Sequence, residues 1–245
     1  MLRLRRRISE TLKVLFLQLP SPRLLHAPRE QIPAVVSMTS YPARIGQAWV
    51  AIETILRQTV VPEKFILVLS RDDFPEASIP RRIQKQAKRG LEVVWIESNG
   101  GSYDKLLPAL SLFPKSTLIT CDDDKFFPPQ LLEQLHSASV QHPGCVVGAR
   151  GWIMNGEEDP PVYGKHWTRA KPLSRGRNLL MPGGNGCLYP AGCLHAEVTD
   201  LDNALTVCPT ADDLWFWAAA TKNGSEMLCL GMPPHRPVSS QEKTA

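Results

Sequence analysis

The stretch "STLITCDDDKFFPPQLLEQL", residues 116–135, drives an apolar run into three consecutive aspartates and then opens an amphipathic helix. Leu131, Leu132, Leu135 and Ala138 fall on one face of that helix, and Pro128 or Pro129 sits near its first turn, where a missing N–H does no harm. Two carboxylates about 5 Å apart repel by roughly 3 kcal/mol at an effective dielectric near 20. Asp122, Asp123 and Asp124 are therefore costly together unless something positive sits among them. A divalent cation removes that cost, and an all-oxygen ligand set favours Mg²⁺ or Mn²⁺ over zinc. The plain alternative is an acidic turn whose side chains face water or cap the next helix. Placement directly after a buried strand favours the cation.

Outward from this stretch the pattern alternates. "AVVSM" (34–38), "KFILVLS" (64–70), "LEVVWIE" (91–97), "TLITC" (117–121) and "CVVGAR" (145–150) are short β-branched or apolar runs that predict buried strands. Helices are predicted between them, over "GQAWVAIETILRQT", "PRRIQKQAKRG", "DKLLPALSLF" and "PPQLLEQLHSASVQH". The alternation predicts an α/β fold, a mostly parallel central sheet flanked by helices, with the ligand site beyond the carboxyl ends of the strands. Four polar clusters then share one rim: "TSYPAR", "RDDFP", "ESNGGSYDK" and "DDDK". From 151 to 182 the periodicity disappears, which predicts a long loop over the site.

The 245 residues, 43% hydrophobic and 21% charged, suit one large domain. Of the formal net charge of +4, residues 1–29 contribute +6, so the remainder carries −2 and is no polyanion or nucleic-acid binder. The leader, residues 1–31, has an apolar run too short for a signal peptide or a membrane span. Leu4, Ile8, Leu12, Leu15 and Leu19 can line one stripe of a basic amphipathic helix on an anionic membrane surface, or the leader can be a basic tail that touches nothing. Six cysteines, at 121, 145, 187, 193, 208 and 229, show no zinc spacing and predict buried free thiols in a reducing, cytoplasmic setting. A peripheral position at the inner face of the cytoplasmic membrane fits the leader.

"TLITCDDD" resembles the strand and Asp-x-Asp motif of GT-A fold glycosyltransferases, which have the Rossmann-like fold of nucleotide-diphospho-sugar transferases. With "VVSMTSYPARIGQAWVAIETILRQTVVPEKFILVLS", "SYDKLLPALSLFP" and "GGNGCLYPAGCL" followed by "PTADDLWFWAAATKNG", the chain from about Val35 to Gly231 is similar to small bacterial enzymes related to family 2, of capsule and lipopolysaccharide assembly. The resemblance implies a single GT-A domain over 32–238 and a polar tail over 239–245. It implies Asp124 as the direct metal contact, Asp122 as the other outer member of the motif and a second possible ligand, and Asp122 or Asp123 near the ribose. It places Thr39, Tyr41 and Arg44 at the nucleotide, and Glu97 and Lys105 where base and phosphate contacts occur. His235 lies where some GT-A enzymes bring a third metal ligand; His166 is a weaker candidate.

Thr210 followed by Asp213 fits a variant capping box, and acids in a first helical turn are favoured by the macrodipole. The resemblance instead implies a general base at this helix start, Asp213 first and Asp212 in reserve, that deprotonates an acceptor hydroxyl and inverts the transferred sugar. Gly183, Gly184 and Gly186 allow close backbone approach to a ligand or form an ordinary hairpin loop. Trp215 and Trp217 cannot share a helix face, so one is expected in the core and one at an acceptor groove.

The chain lacks the Gln-x-x-Arg-Trp motif of processive family 2 polymerases, which predicts transfer of one sugar at a time. Its first loop carries Ser-Tyr-Pro where many members have Asn or Asp. The expectation is a metal-dependent, inverting transferase that moves one sugar from a nucleotide-diphosphate sugar, a UDP-sugar first, to a glycan or lipid-linked acceptor. Two other functions compete with it: an inactive GT-A module that binds nucleotide or glycan, and a metal-dependent nucleotidyltransferase. No Walker-type phosphate loop is present.

Overall fold

The computed structural model describes Leu17, residues 28–155 and residues 166–238. The predicted leader helix and the polar tail 239–245 otherwise lie outside the described residues.

In chain order the elements that build the site are β1 (Gln31–Thr39), α1 (Pro42–Leu56), β2 (Val61–Ser70), α2 (Arg81–Ala87), β3 (Leu91–Ile96), α3 (Leu107–Leu112), β4 (Thr117–Thr120), α4 (Leu131–Gln141), β5 (Val146–Gly148), β6 (Arg175–Gly176), β7 (Cys187–Tyr189), α5 (Leu201–Val207), α6 (Asp212–Lys222) and β8 (Met227–Cys229). The eight strands form one sheet in the order β3-β2-β1-β4-β7-β5-β8-β6. β1 through β4 are mutually parallel where they pair, and β7 runs antiparallel between β4 and β5. All five predicted strands and all four predicted helices are present. α1 starts at Pro42, four residues before the apolar pattern begins at Gly46, because proline at the first helical position sets the helical φ.

The strand period of two sorts side chains onto two cores. Ile32, Ala34, Val36 and Met38 of β1 pack with Trp49 and Ile52 of α1, Ile83 of α2 and Leu131 and Leu135 of α4. Val35, with Ile66 and Val68 of β2, faces Tyr103, Leu106 and Ala109 and the α6 residues Phe216 and Ala220. Helices thus cover both faces, the arrangement a central parallel sheet requires.

The long loop predicted over 151–182 contains order. Trp152–Ile153 pairs antiparallel with Thr168–Arg169 and with Leu179–Leu180 in a small three-stranded sheet, and Arg175–Gly176 joins the main sheet as β6. Strands of two residues leave no readable period. All six cysteines are free, and all but Cys208 are buried. No helix among the described residues is long and apolar enough to cross a membrane.

Candidate active site at the carboxyl ends of the parallel strands

A cleft of about 610 Å³ opens beyond the ends of β1, β2, β3 and β4. Thr39, Ser40, Tyr41 and Arg44 follow β1, Ser70 and Asp73 follow β2, and Asn99, Gly101, Ser102, Asp104 and Lys105 follow β3. Asp122, Asp123 and Lys125 follow β4, while Pro182, Gly184, Asn185, Thr210, Asp212 and Asp213 close the far wall. The rim inferred from the four polar clusters is this cleft.

Protein cations stand among the three aspartates. Lys105, whose side chain is only 7% exposed, lies 3.0 Å from Asp122 Oδ1 and 3.1 Å from Asp212 Oδ2. Lys125 contacts the other oxygen of Asp122 and lies 3.5 Å from Asp124 Oδ1. Asp123 accepts from the Ser40 hydroxyl and pairs with Arg44, whose guanidinium also lies 3.0 Å from Asp124. Burial alone would push the Lys105 ammonium down, but the carboxylates of Asp122, Asp212 and Asp213 outweigh it and hold Lys105 above its ordinary value. Burial would raise Asp122, and the two lysines reverse that and hold it well below the usual carboxylate range.

The second acidic pair does not cap its helix. The residue preceding α6 is Ala211, and no side chain caps the helix start, so the Thr210–Asp213 box is not formed. Asp213 Oδ1 instead accepts the Gly183 N–H at 2.8 Å, and Asp212 turns to Lys105. Burial, reinforced by the charge of Asp212 and opposed by Lys105, pushes Asp213 up to about 6.

The glycine turn is shaped around these carboxylates. A Cβ on Gly184 would lie 1.8 Å from Asp122 Oδ2, an overlap no side chain can relieve without moving that carboxylate. The Asp122 N–H bonds the Gly184 carbonyl at 3.1 Å, and Thr120 Oγ1 donates to the Gly183 carbonyl at 3.0 Å. His235 holds the turn from behind. Its Nε2 lies 2.7 Å from the Asn185 carbonyl oxygen, so that nitrogen is the protonated donor, and its ring meets Phe127 edge-on at 5.3 Å.

Thr39, Tyr41, Arg44, Lys105, Asp122, Asp123, Asp212 and Asp213 therefore line one cleft, and Asp124 joins them through Arg44 and Lys125. Glu97 does not line it: its side chain is 88% exposed and pairs with Arg71 at 3.3 Å. His235 and the exposed His166 do not line it either. Trp215 and Trp217 are both half-buried, each donating its indole N–H to a backbone carbonyl, of Val198 and Arg177, and the core residue of that turn is Phe216 between them. Residues the sequence alone did not single out are Ser40, Asp73, Asn99, Asp104 and Lys125. All five lie inside the clusters "TSYPAR", "RDDFP", "ESNGGSYDK" and "DDDK", whose polar residues mark the rim without saying which side chain turns inward.

Among the described residues no three His, Cys, Asp or Glu side chains surround one point. A cation here would take most of its ligands from phosphate and water, as Mg²⁺ commonly does. The donor set fits that role. Around the triplet and the α6 start, five carboxylates face the three cations Arg44, Lys105 and Lys125, which leaves two negative charges, and Asp124 Oδ1 has no hydrogen-bond partner.

Asp104 gives a test of the cleft's electrostatics. Its side chain is buried and accepts the Gly100 N–H at 3.0 Å. Burial pushes its carboxyl up to about 6, with the Gly100 bond opposing and the charge of Asp73 adding to the rise. The native state thus holds this proton more tightly than the unfolded chain, and stability from this group falls as pH rises from about 4 to about 6. Asp104→Asn is expected to stabilise the protein by about 2 kcal/mol near pH 7.5, with the gain vanishing below about pH 4. Urea denaturation at both pH values measures this, and an equal difference at both would contradict it.

Comparison with known proteins bears on the fold. No family model and no curated protein matches the sequence. Among solved structures, residues 1–349 of TarS from S. aureus superpose with a TM-score of 0.54 at 16% identity, over 83% of this chain and 59% of that one. The complex of the same fragment with UDP-GlcNAc gives a TM-score of 0.54 at 15% identity, over 86% and 62%. Apo UDP-glucose pyrophosphorylase gives 0.50 at 8% identity, over 86% and 92%. The chain thus spans about three-fifths of the TarS fragment. The fold is the GT-A, Rossmann-like fold of nucleotide-sugar enzymes.

Proposed function

We propose that this GT-A domain is a metal-dependent glycosyltransferase that moves one sugar from a nucleotide-diphosphate sugar, a UDP-sugar first, to the hydroxyl of a glycan or lipid-linked acceptor, with inversion. The observation that carries the proposal is the Lys105 bridge. It ties Asp122 of the strand-end triplet to Asp212 of the α6 start, two acidic motifs 90 residues apart in sequence, across one cleft. The likeness to TarS, which has been solved with UDP and with UDP-GlcNAc, supports a uridine donor.

In this reading the donor's nucleoside lies towards Thr39, Tyr41, Ser70 and Asn99. Its diphosphate meets Arg44 and Lys125, the two more exposed cations of the cluster. Asp124 and Asp122 would hold Mg²⁺ or Mn²⁺, which when bound supplies Lewis-acid stabilisation of the departing diphosphate. His235, its Nε2 given to the Asn185 carbonyl, positions the glycine turn and is left out of the ligand set. Asp213 accepts the proton of the acceptor hydroxyl while that oxygen attacks the anomeric carbon and the bond to the diphosphate breaks. The Gly183 N–H holds the carboxylate at the wall, and its raised affinity for a proton suits a base working near neutral pH. The basic leader offers a peripheral membrane contact close to lipid-linked acceptors.

The test is a panel of UDP-, GDP- and CMP-linked sugars with and without Mn²⁺, read by thermal shift and by product. A true donor is expected to raise the melting temperature by mass action, and release of nucleoside diphosphate is expected with an acceptor present. Pyrophosphate as the product would assign nucleotidyl transfer instead. Tight, metal-dependent nucleotide binding without turnover would make the domain a binding module.

A further inference from the structure

Lys125 stands between the two carboxylates to which a divalent cation is assigned above. Its ammonium contacts Asp122 Oδ2 and lies 3.5 Å from Asp124 Oδ1. Lys105 and Arg44 each reach only one of these two acids: Lys105 pairs with Asp122 and Asp212, and Arg44 with Asp123 and Asp124. Lys125 alone among the described lysines and arginines bridges the outer members of the triplet. The bridge is incomplete on one side. Asp124 Oδ1 is sealed from solvent and has no hydrogen-bond partner, and 3.5 Å lies beyond the range of about 2.7–3.2 Å in which an N–H bonds an oxygen well. A sealed carboxylate oxygen without a bond is unfavourable, so Lys125 balances the charge of this oxygen without satisfying it.

The main chain under this bridge is tied down. Lys125–Phe126 pairs antiparallel with Arg236–Pro237, the Val238 N–H bonds the Asp124 carbonyl at 2.7 Å, and the Asp122 N–H bonds the Gly184 carbonyl at 3.1 Å. The Lys125 side chain lines the cleft and is 20% exposed, against 7% for Lys105. Rotation about its four-carbon stem carries the ammonium into the cleft while the backbone and the aspartates stay in place. We propose that Lys125 is an exchangeable counter-ion: it holds Asp122 and Asp124 until a divalent cation takes those oxygens, and its released ammonium then turns to the diphosphate of the donor. The inference rests on the metal-dependent reading above and deepens it. A metal ion arriving alone must strip Lys125 of its anions and binds weakly. A metal ion arriving with a nucleoside diphosphate brings the displaced ammonium a new partner, so the two bind with positive coupling, and each raises the affinity of the other by the same factor.

Mn²⁺ binding to the full chain, followed by titration calorimetry with and without UDP, tests the exchange. Without nucleotide, Lys125→Met is expected to bind Mn²⁺ about tenfold more tightly than wild type, because the side chain that competes for the two carboxylates is gone. Lys125→Arg keeps the charge and is expected to stay within about threefold of wild type. Unchanged Mn²⁺ affinity in folded Lys125→Met overturns the exchange, and so does an equal gain in Lys125→Arg. Should the methionine variant fail to fold, a wild-type crystal grown with Mn²⁺ and UDP decides. Mn²⁺ on Asp122 and Asp124 with the Lys125 ammonium turned to the phosphates supports the exchange; an ammonium still against Asp122, or Mn²⁺ held by UDP alone, refutes it. Mn²⁺ bound by wild type in the presence of UDP, with no gain in Lys125→Met, leaves the metal-dependent reading standing and removes the exchange. The gain in Lys125→Met, in a protein that turns over no nucleotide sugar, keeps the exchange and removes the transferase reading.

Discussion

Lys105→Met is expected to lower the stability of this protein by about 3–5 kcal/mol, the cost of removing one member of a buried ion cluster and leaving its partners uncompensated. The side chain is 7% exposed and stands between the carboxyl groups of Asp122, at 3.0 Å, and Asp212, at 3.1 Å. Methionine fills a similar volume but carries no charge, so two carboxylates would face each other across an apolar group. Small domains are stable by about 5–15 kcal/mol in total, so the variant is expected to sit near the edge of folding. Urea denaturation measures the loss. Asp212→Asn in the same background is expected to restore part of it, because one of the stranded charges is then gone. A loss below about 1 kcal/mol would mean that water reaches the cluster and that Lys105 does not bind the two motifs together.

Asp213→Asn is expected to reduce turnover about a thousandfold, within the range that loss of a general base produces, while leaving donor affinity within about twofold. The amide can still accept the Gly183 N–H, so the wall keeps its shape and only the proton acceptor is lost. The wild-type profile carries the same signature. The Asp213 carboxyl is pushed up to about 6, so kcat/KM is expected to fall tenfold per pH unit below that value and to level off above it. Asp213→Asn is expected to remove that acid limb. An unchanged acid limb in the variant would place the base elsewhere, with Asp212 unable to serve while Lys105 holds it.

The strands and helices were legible because a two-residue or 3.6-residue period writes burial directly into the sequence. Val35, Ile66 and Leu118 could be assigned to a sheet before any contact was known. The shared edge of the polar clusters follows as well, since segments after successive parallel strands lie at one end of the sheet. The crowding of three aspartates is visible in the sequence as a charge that needs a positive neighbour. What neutralises them was not legible, because Lys105 and Arg44 come from other strand ends and a local repulsion argument has no access to cations brought in by topology.

Glu97 and Asn99 illustrate the same limit on a smaller scale. Both belong to "ESNGGSYDK", but Glu97 turns out to Arg71 and water while Asn99 lines the cleft. Once regular strand ends, alternation no longer decides which side chain points where. The resemblance implies a third metal ligand at His235, whereas the fold gives its ring to the Asn185 carbonyl and to Phe127.

Residue type and local period suffice for the α/β layering, for the polar edge of the sheet and for the excess of carboxylate along it. They do not reach the meeting of Asp212 with Lys105, the turn of Asp213 from its helix start to the Gly183 N–H, or the room that Gly184 leaves for Asp122. Those contacts join residues 30 to 107 positions apart, and their existence depends on how the sheet orders its strands, which no local pattern encodes.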